Sequence, residues 1–326
     1  MARIVDVVVI DLTRPVQQKG FKKVALIDFT TAVETKTVTD VKELSGTIAK
    51  IASSYFGNGG GYLTVGGVDA SGTSDGTEVT TLLNKVLAEN TFYGLSLIMP
   101  KAKQKIILEK VKEFCEGNEL LCVTEINGTK EEVTTASEGL NSDRVALFAS
   151  NAEETTGLGA GVCGMGFPQN EGSLTWANKQ ITGVPVSGYS ISEENALLEK
   201  NINYLTEELG YIITQFGRTT SGSNIDITRS KDWLKNRIRE GLTYALVNAK
   251  KIPFTNKGLQ RLRTALDQIG VQAMQQDMLA SYTVFIPDAN DIPVADKAAR
   301  VLRNCVFTAQ LSGAVEKIEI EVQITL

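Results

Sequence analysis

The chain has 326 residues, 42% of them apolar and 22% charged, which is enough for two domains with real cores and excludes wholesale disorder. Net charge is −5 and uneven: residues 1–220 hold 19 Lys/Arg against 27 Asp/Glu, while residues 221–326 hold 14 against 11, so an acidic part precedes a mildly basic one suited to packing against copies or partners. Without a Lys/Arg block, and with 6% aromatics, the chain is a poor nucleic-acid binder; without any histidine it lacks the commonest general base, metal ligand and nucleophile partner.

The N-terminal run RIVDVVVIDL is rich in β-branched residues (Ile4, Val5, Val7, Val8, Val9, Ile10) and reads as a strand. Its apolar stretch is too short for a signal peptide, and nowhere do about twenty apolar residues occur together, so no membrane insertion is expected. Val24–Phe29 is a buried strand. A polar stretch leads to a helix over Val41–Phe56, with Val41, Leu44, Ile48 and Ile51 at helical spacing, which Gly57–Gly61 ends. An extended run resumes at Tyr62–Val65.

Helices are then predicted at Thr77–Glu89, Lys101–Cys115 and Lys130–Gly139, alternating with strands at Gly94–Met99, Leu120–Ile126 and Arg144–Ser150. This alternation predicts a layered α/β domain with a largely parallel sheet. Across Glu153–Gly188 helical periodicity disappears and glycines accumulate. Gly159-Ala-Gly161-Val-Cys-Gly164 matches G-x-G-x-x-G, but a dinucleotide site joins a strand directly to a helix there, and Pro168 follows closely; a flexible loop is expected instead. Gly57–Gly61 follows a helix and precedes a strand, the reverse of a phosphate loop. No cofactor or metal is called for. Four cysteines (Cys115, Cys122, Cys163, Cys305) show no C-x-x-C pair and read as reduced, mostly buried thiols.

SISEEN predicts a capping box with Ser192 as its N-cap, and a helix rich in Asn and Tyr is expected over Asn195–Leu205. Adjacent glutamates such as Glu131 with Glu132 and Glu193 with Glu194 suit acidic first turns better than paired acid-base catalysis. Beyond Gly217 come a Gly/Ser/Thr turn, a short Ile-Asp-Ile strand, and a helix with Trp233, Leu234, Ile238, Leu242 and Ala245 along one stripe. Pro253 separates it from an amphipathic helix over Asn256–Met274, whose face Leu259, Leu262, Leu266, Ile269 and Ala273 opposes Lys257, Arg261, Gln268 and Gln272. Strands follow at Tyr282–Ile286, Val301–Leu311 and Val315–Leu326. The last alternates strictly, with Ile318, Ile320, Val322, Ile324 and Leu326 on one face. Two β-prone termini must pair with each other or with another chain.

The run Gly217–Asp226 (G-x-T-x-x-G-x-x-I-D), the Asp232-Trp-Leu helix and the Ile252-Pro-Phe-Thr255 break resemble the C-terminal domain of contractile bacteriophage tail sheath proteins, the short sheaths in particular. Tyr55-Phe-Gly57 and GSLTWANKQITGV resemble the same family more weakly. The resemblance implies an α/β outer domain at 23–216 after an N-terminal β arm at 1–22, then an α+β tube-proximal domain at 217–326 ending in a β arm at 315–326. It implies a non-enzymatic subunit that polymerises as stacked hexameric rings, a helical polymer assembled in the bacterial host cytoplasm and carried in the virion tail. Its partners would be copies of itself, the tail tube, and baseplate and terminator proteins. Arm residues Ile4, Val5, Val7, Val9, Ile318, Ile320, Val322 and Ile324 would add strands to neighbours, and Lys235, Arg239, Lys257 and Arg261 would face the tube. An α/β enzyme using a nucleotide or cofactor, or a non-contractile lattice protein, stays open on the residues alone.

Overall fold

The computed structural model describes residues 20–317. The arm positions Ile4, Val5, Val7, Val9, Ile318, Ile320, Val322 and Ile324 lie outside the described residues. Two compact units divide the chain: a larger one of residues 20–233, 276–278 and 311 onward, and a smaller one of residues 234–275 and 279–310.

In the larger unit, short runs of Val, Leu and Ile form strands buried on both faces, which is what a parallel sheet covered by helices requires. β1 (Val24–Asp28), β3 (Leu63–Gly67), β4 (Gly94–Ile98), β5 (Leu121–Asn127), β6 (Val145–Ser150) and β7 (Asn203–Glu208) run parallel. Antiparallel strands β2 (Val33–Val38) and β8 (Tyr211–Gln215) lie at the two edges, giving the order β2-β3-β1-β4-β5-β6-β7-β8. One face packs Ile27, Leu97, Ile126 and Leu147 against α2 (Thr77–Glu89), α3 (Gln104–Asn118), α4 (Lys130–Ser137) and α6 (Ile191–Glu199). Helices α1 (Gly46–Gly57) and α5 (Leu158–Gly166) pack against each other, and α5 also lies against β5. The layered α/β class predicted from alternation is therefore the one observed.

Several local readings change. The polar stretch after Phe29 contains strand β2, whose pattern of Glu34, Lys36 and threonines is that of a solvated edge strand. The expected loop at Gly159–Gly164 is helix α5, buried at every position but Met165. A Cβ on Gly164 would stand 2.1 Å from the Tyr55 carbonyl oxygen, and one on Gly159 would stand 2.4 Å from the Glu125 nitrogen. Close approach of backbones outweighs the poor helix propensity of glycine. Over the expected helix Asn195–Leu205, the chain leaves α6 at Glu199 and becomes β7, because Ile202, Asn203 and Tyr204 are buried beside β6. The α6 cap is Ser190, not Ser192: Glu193 stands three residues on and bonds back to the Ser190 N–H at 2.8 Å.

The Ile-Asp-Ile segment is also not a strand. It opens α7 (Ile225–Asn248), with Ile225 buried under the preceding turn. The smaller unit holds the rest of α7, α8 (Asn256–Gln275), β9 (Leu279–Phe285), α9 (Val294–Ala299) and all but the last residue of β10 (Val306–Leu311). Val301–Leu311 is thus a strand only from Val306. The α8 face predicted from periodicity (Leu259, Leu262, Leu266, Ile269 and Ala273) is buried. Gly270 is required there, since a Cβ would come 2.5 Å from the Tyr282 ring. Tyr282 of β9 stacks on Phe307 of β10, with ring centroids 5.7 Å apart.

Candidate functional site: sheet edges and the helix pair

The two sequence runs that carried the family resemblance meet in the larger unit. Trp176, from GSLTWANK, is buried; Gly217 lies so close that a Cβ there would be 2.4 Å from Trp176 Cβ. Phe167 stands edge-on to Trp176 at 5.4 Å. Arg229 of α7, itself buried, lies over both rings at 5.1 and 5.7 Å. It donates to the carbonyls of Gly166 (2.9 Å), Phe167 (3.3 Å) and Gln169 (3.4 Å), where the α5 helix ends, and pairs with Glu171 at 3.8 Å. A cation at a helix C-terminus meets unsatisfied carbonyls and the negative end of the dipole. Burial pulls the Arg229 pKa down, opposed by the surrounding negative groups.

One turn further along α7, Asp232 accepts from Tyr93 Oη at 2.6 Å and from Arg144 Nη2 at 2.9 Å, a bidentate pair with Arg144. Burial, and then the Asp232 charge, hold the Tyr93 hydroxyl well above the usual phenol range. The G-x-T-x-x-G turn is fixed by Asn203 of β7. Its side chain accepts from Arg218 N–H (2.8 Å) and donates to the carbonyls of Arg218 (2.7 Å) and Leu147 (2.9 Å). These motif residues therefore anchor the start of α7.

The sheet edges differ in how open they are. β2 is bulged between Val33 and Lys36, and Lys36 Nζ bonds the Glu43 carbonyl at 2.6 Å, two devices that discourage strand addition. The β8 edge is covered by residues 178–181: Asn178 N–H donates to Thr214 O (2.8 Å) and Thr214 N–H to Lys179 O (2.9 Å), with a bridge from Gln180 to Ile213. β9 and β10 pair only with each other, so among the described residues both outer edges of this sheet carry no strand. β10 is also exposed along most of its length. After it, the chain is held by Thr175 Oγ1 donating to the Glu316 carboxylate (3.1 Å) and Asn178 Nδ2 donating to the Glu316 carbonyl (2.9 Å).

Of the four cations singled out in the sequence, Lys235 and Arg239 are exposed one turn apart on α7, and Lys257 and Arg261 are exposed one turn apart at the start of α8. All four fall in the smaller unit. That unit also has a groove of about 970 Å³, floored by Leu259, Leu262 and Leu266 and bordered by Lys250, Lys251, Lys297 and Arg300. Sequence reasoning passed over these four cations. The adjacent Lys250-Lys251 pair was the available signal, but α9 was not foreseen. Three cysteines are buried and Cys305, beside β10, is exposed. Burial pushes the Cys115 thiol up to about 12 and raises those of Cys122 and Cys163 as well.

No protein-family model matches the chain, and no curated protein matches it. Solved structures do. A chain in the cryo-EM structure of the anti-feeding prophage baseplate, 6-fold symmetrised, superposes with a TM-score of 0.73 at 15% identity, covering 100% of both chains. The helical sheath of the same particle in its contracted state gives 0.69 at 14% identity, over 100% of this chain and 99% of that one. The sheath complex of the PVC extracellular contractile injection system, also contracted, gives 0.69 at 14% identity, over 99% and 98%. This chain has the fold of contractile sheath proteins.

Proposed function

We propose that the protein is a structural subunit of a contractile tail sheath, and not an enzyme. It would polymerise as stacked hexameric rings around a tail tube, engage baseplate and terminator proteins at the ends, and shorten to drive the tube through a target envelope. Assembly in a bacterial host cytoplasm and residence in a phage-like tail follow from that role. The observation that supports the reading is the β10–β9 sheet, whose two outer edges carry no strand among the described residues, in a chain whose first ten and last twelve residues are strongly β-prone in sequence. Strand addition from a neighbour supplies several main-chain hydrogen bonds at roughly 0.5–1.5 kcal/mol net each, repeated in every copy. Such bonds persist while the bodies they connect move, so the stored energy resides in bistable packed interfaces.

Lys235, Arg239, Lys257 and Arg261 are proposed to face the tube through exposed, individually weak ion pairs, which hold before firing and break during it. Deleting residues 318–326 should leave a folded, soluble chain that no longer polymerises, and reversing Lys257 and Arg261 to Glu should loosen cohesion with the tube without harming tubes of sheath alone. Electron microscopy and sedimentation read both. Normal tubes from the truncated chain would end the strand-addition reading.

A further inference from the structure

After β10, residues 312–316 run along the larger unit without regular secondary structure, held at two anchors. At the first, the Ser312 N–H donates to the Met278 carbonyl at 3.0 Å, and Ser312 Oγ donates to the Asp277 carbonyl. At the second, Thr175 Oγ1 donates to the Glu316 carboxylate (3.1 Å) and Asn178 Nδ2 to the Glu316 carbonyl (2.9 Å). Between the anchors the run is loosely packed. Val315 is 78% exposed, and residues 311–314 wall a cavity of about 310 Å³. Thr175, Asp277, and Asp226 and Ser230 of α7 also line that cavity, which lies within the larger unit.

Asp226 is poorly provided for in this setting. Its Oδ1 is buried and has no hydrogen-bond partner among the described residues. Burial raises its pKa above the ordinary 3.8 and the Glu316 charge raises it further, while the backbone N–H groups of Asp226 and Ile227, and Arg229, oppose the rise. Arg229 offsets little, because its guanidinium is committed to the carbonyls of Gly166, Phe167 and Gln169 and to Glu171. The other charged groups here are Asp277, in the cavity wall, and Lys317, which follows Glu316. Two carboxylates coupled in a partly buried site do not both ionise without cost.

We infer that residues 312–316 form a proton-sensitive strap: protonated Asp226 lets Glu316 hold the run on the larger unit, and ionised Asp226 loosens it. The proton goes to the oxygen that lacks a donor and turns a repelling charge into an O–H. A carboxyl whose pKa is raised in the fold gives stability that is complete below its ordinary value and lost as pH rises through the raised one. The strap is therefore firm in acid and weak near neutrality. Residues 318–326 follow it, so its release lengthens their reach by about five residues, roughly 17 Å of extended chain. The inference goes beyond the sheath reading and needs no polymer.

Hydrogen exchange of the full chain tests it, comparing protection of amides 312–317 at about pH 4.5 and about pH 7.5 after correction for intrinsic rates. In the wild-type chain that protection should fall about fivefold or more with rising pH, while the amides of β5 stay unchanged. D226N, which carries no charge at either pH, should keep the acid level of protection at both. E316Q removes the other charge, retains an acceptor for Thr175, and should behave alike, so it carries the test if D226N melts early. The same fall in both variants, or equal protection of the wild-type chain at the two pH values, overturns the strap. Sedimentation of the same samples reports polymers separately: a chain that never polymerises yet shows the switch supports the strap and removes only the sheath reading.

Discussion

At the scale of single residues, the larger unit depends on buried polar groups that each serve a helix end. Glu125 sits within the sheet, 1% exposed, and its carboxylate accepts from Thr156 N–H (2.8 Å), Thr156 Oγ1 (2.9 Å), Gly157 N–H (3.0 Å), Leu158 N–H (2.9 Å) and Asn127 Nδ2 (2.7 Å). Burial raises its pKa while those donors oppose the rise. Glu125→Ala would leave buried N–H groups unmatched at the N-terminus of α5 and should cost about 3 kcal/mol in urea unfolding. A loss below about 1 kcal/mol would show that water replaces the carboxylate. Glycines of similar sequence context should diverge. Gly164→Ala drives a methyl into the Tyr55 carbonyl and should cost about 2–3 kcal/mol, whereas Gly57→Ala meets nothing within 4 Å and should be neutral or stabilise by up to about 1 kcal/mol. Equal effects at the two sites would contradict the α1–α5 packing.

At the scale of elements, three short helices begin with reciprocal caps. Asp40 pairs with Glu43 at the 3-10 turn Val41–Glu43, Thr129 with Glu132 at α4, and Ser190 with Glu193 at α6. Backbone N–H groups of Thr39 and Asp40 lower the Glu43 pKa, the Thr129 N–H and then Lys101 lower that of Glu132, and Ser190 lowers that of Glu193. A carboxyl with a lowered folded-state pKa stabilises the fold above its ordinary value of 4.5 and loses that contribution as pH falls through the lowered value. The melting temperature should therefore drop as pH falls below about 4.5, and less steeply in the E43Q/E132Q/E193Q triple variant. Parallel acid limbs in the two proteins would assign the acid sensitivity elsewhere.

At the scale of the whole molecule, the chain combines a saturated sheet with an unsaturated one. The eight-stranded sheet ends in a bulged, charged strand on one side and a covered strand on the other, so it is finished within one copy. The two-stranded sheet has the opposite character, and an isolated pair of strands is marginal in water without further strands or a helix against it. α8 supplies part of that support through Gly270 and Tyr282, and the remaining face is the groove. On the proposed self-assembly, loss of residues 318–326 should abolish polymerisation and leave the body folded.

The α/β class, the run of elements from β3 to β6 and the buried face of α8 were all legible in the amino acids, because each rests on local periodicity that burial merely confirms. The helix stripe that begins at Trp233 was legible too, and Trp233 is buried, whereas Trp176 entered only within a run that resembles the family. What the linear pattern could not reveal depended on partners distant in the chain. Gly159–Gly164 became a helix because Tyr55 and Glu125 stand too close for any side chain, and Ile225 opened a helix because Gly217 and Trp176 close over the turn before it. The groove was equally hidden, since its cations come from the loop after α7 and from α9 and its cap, and only the packing of the smaller unit brings them to one groove. Periodicity along the chain reports which face is buried; it carries no record of how near another backbone will come.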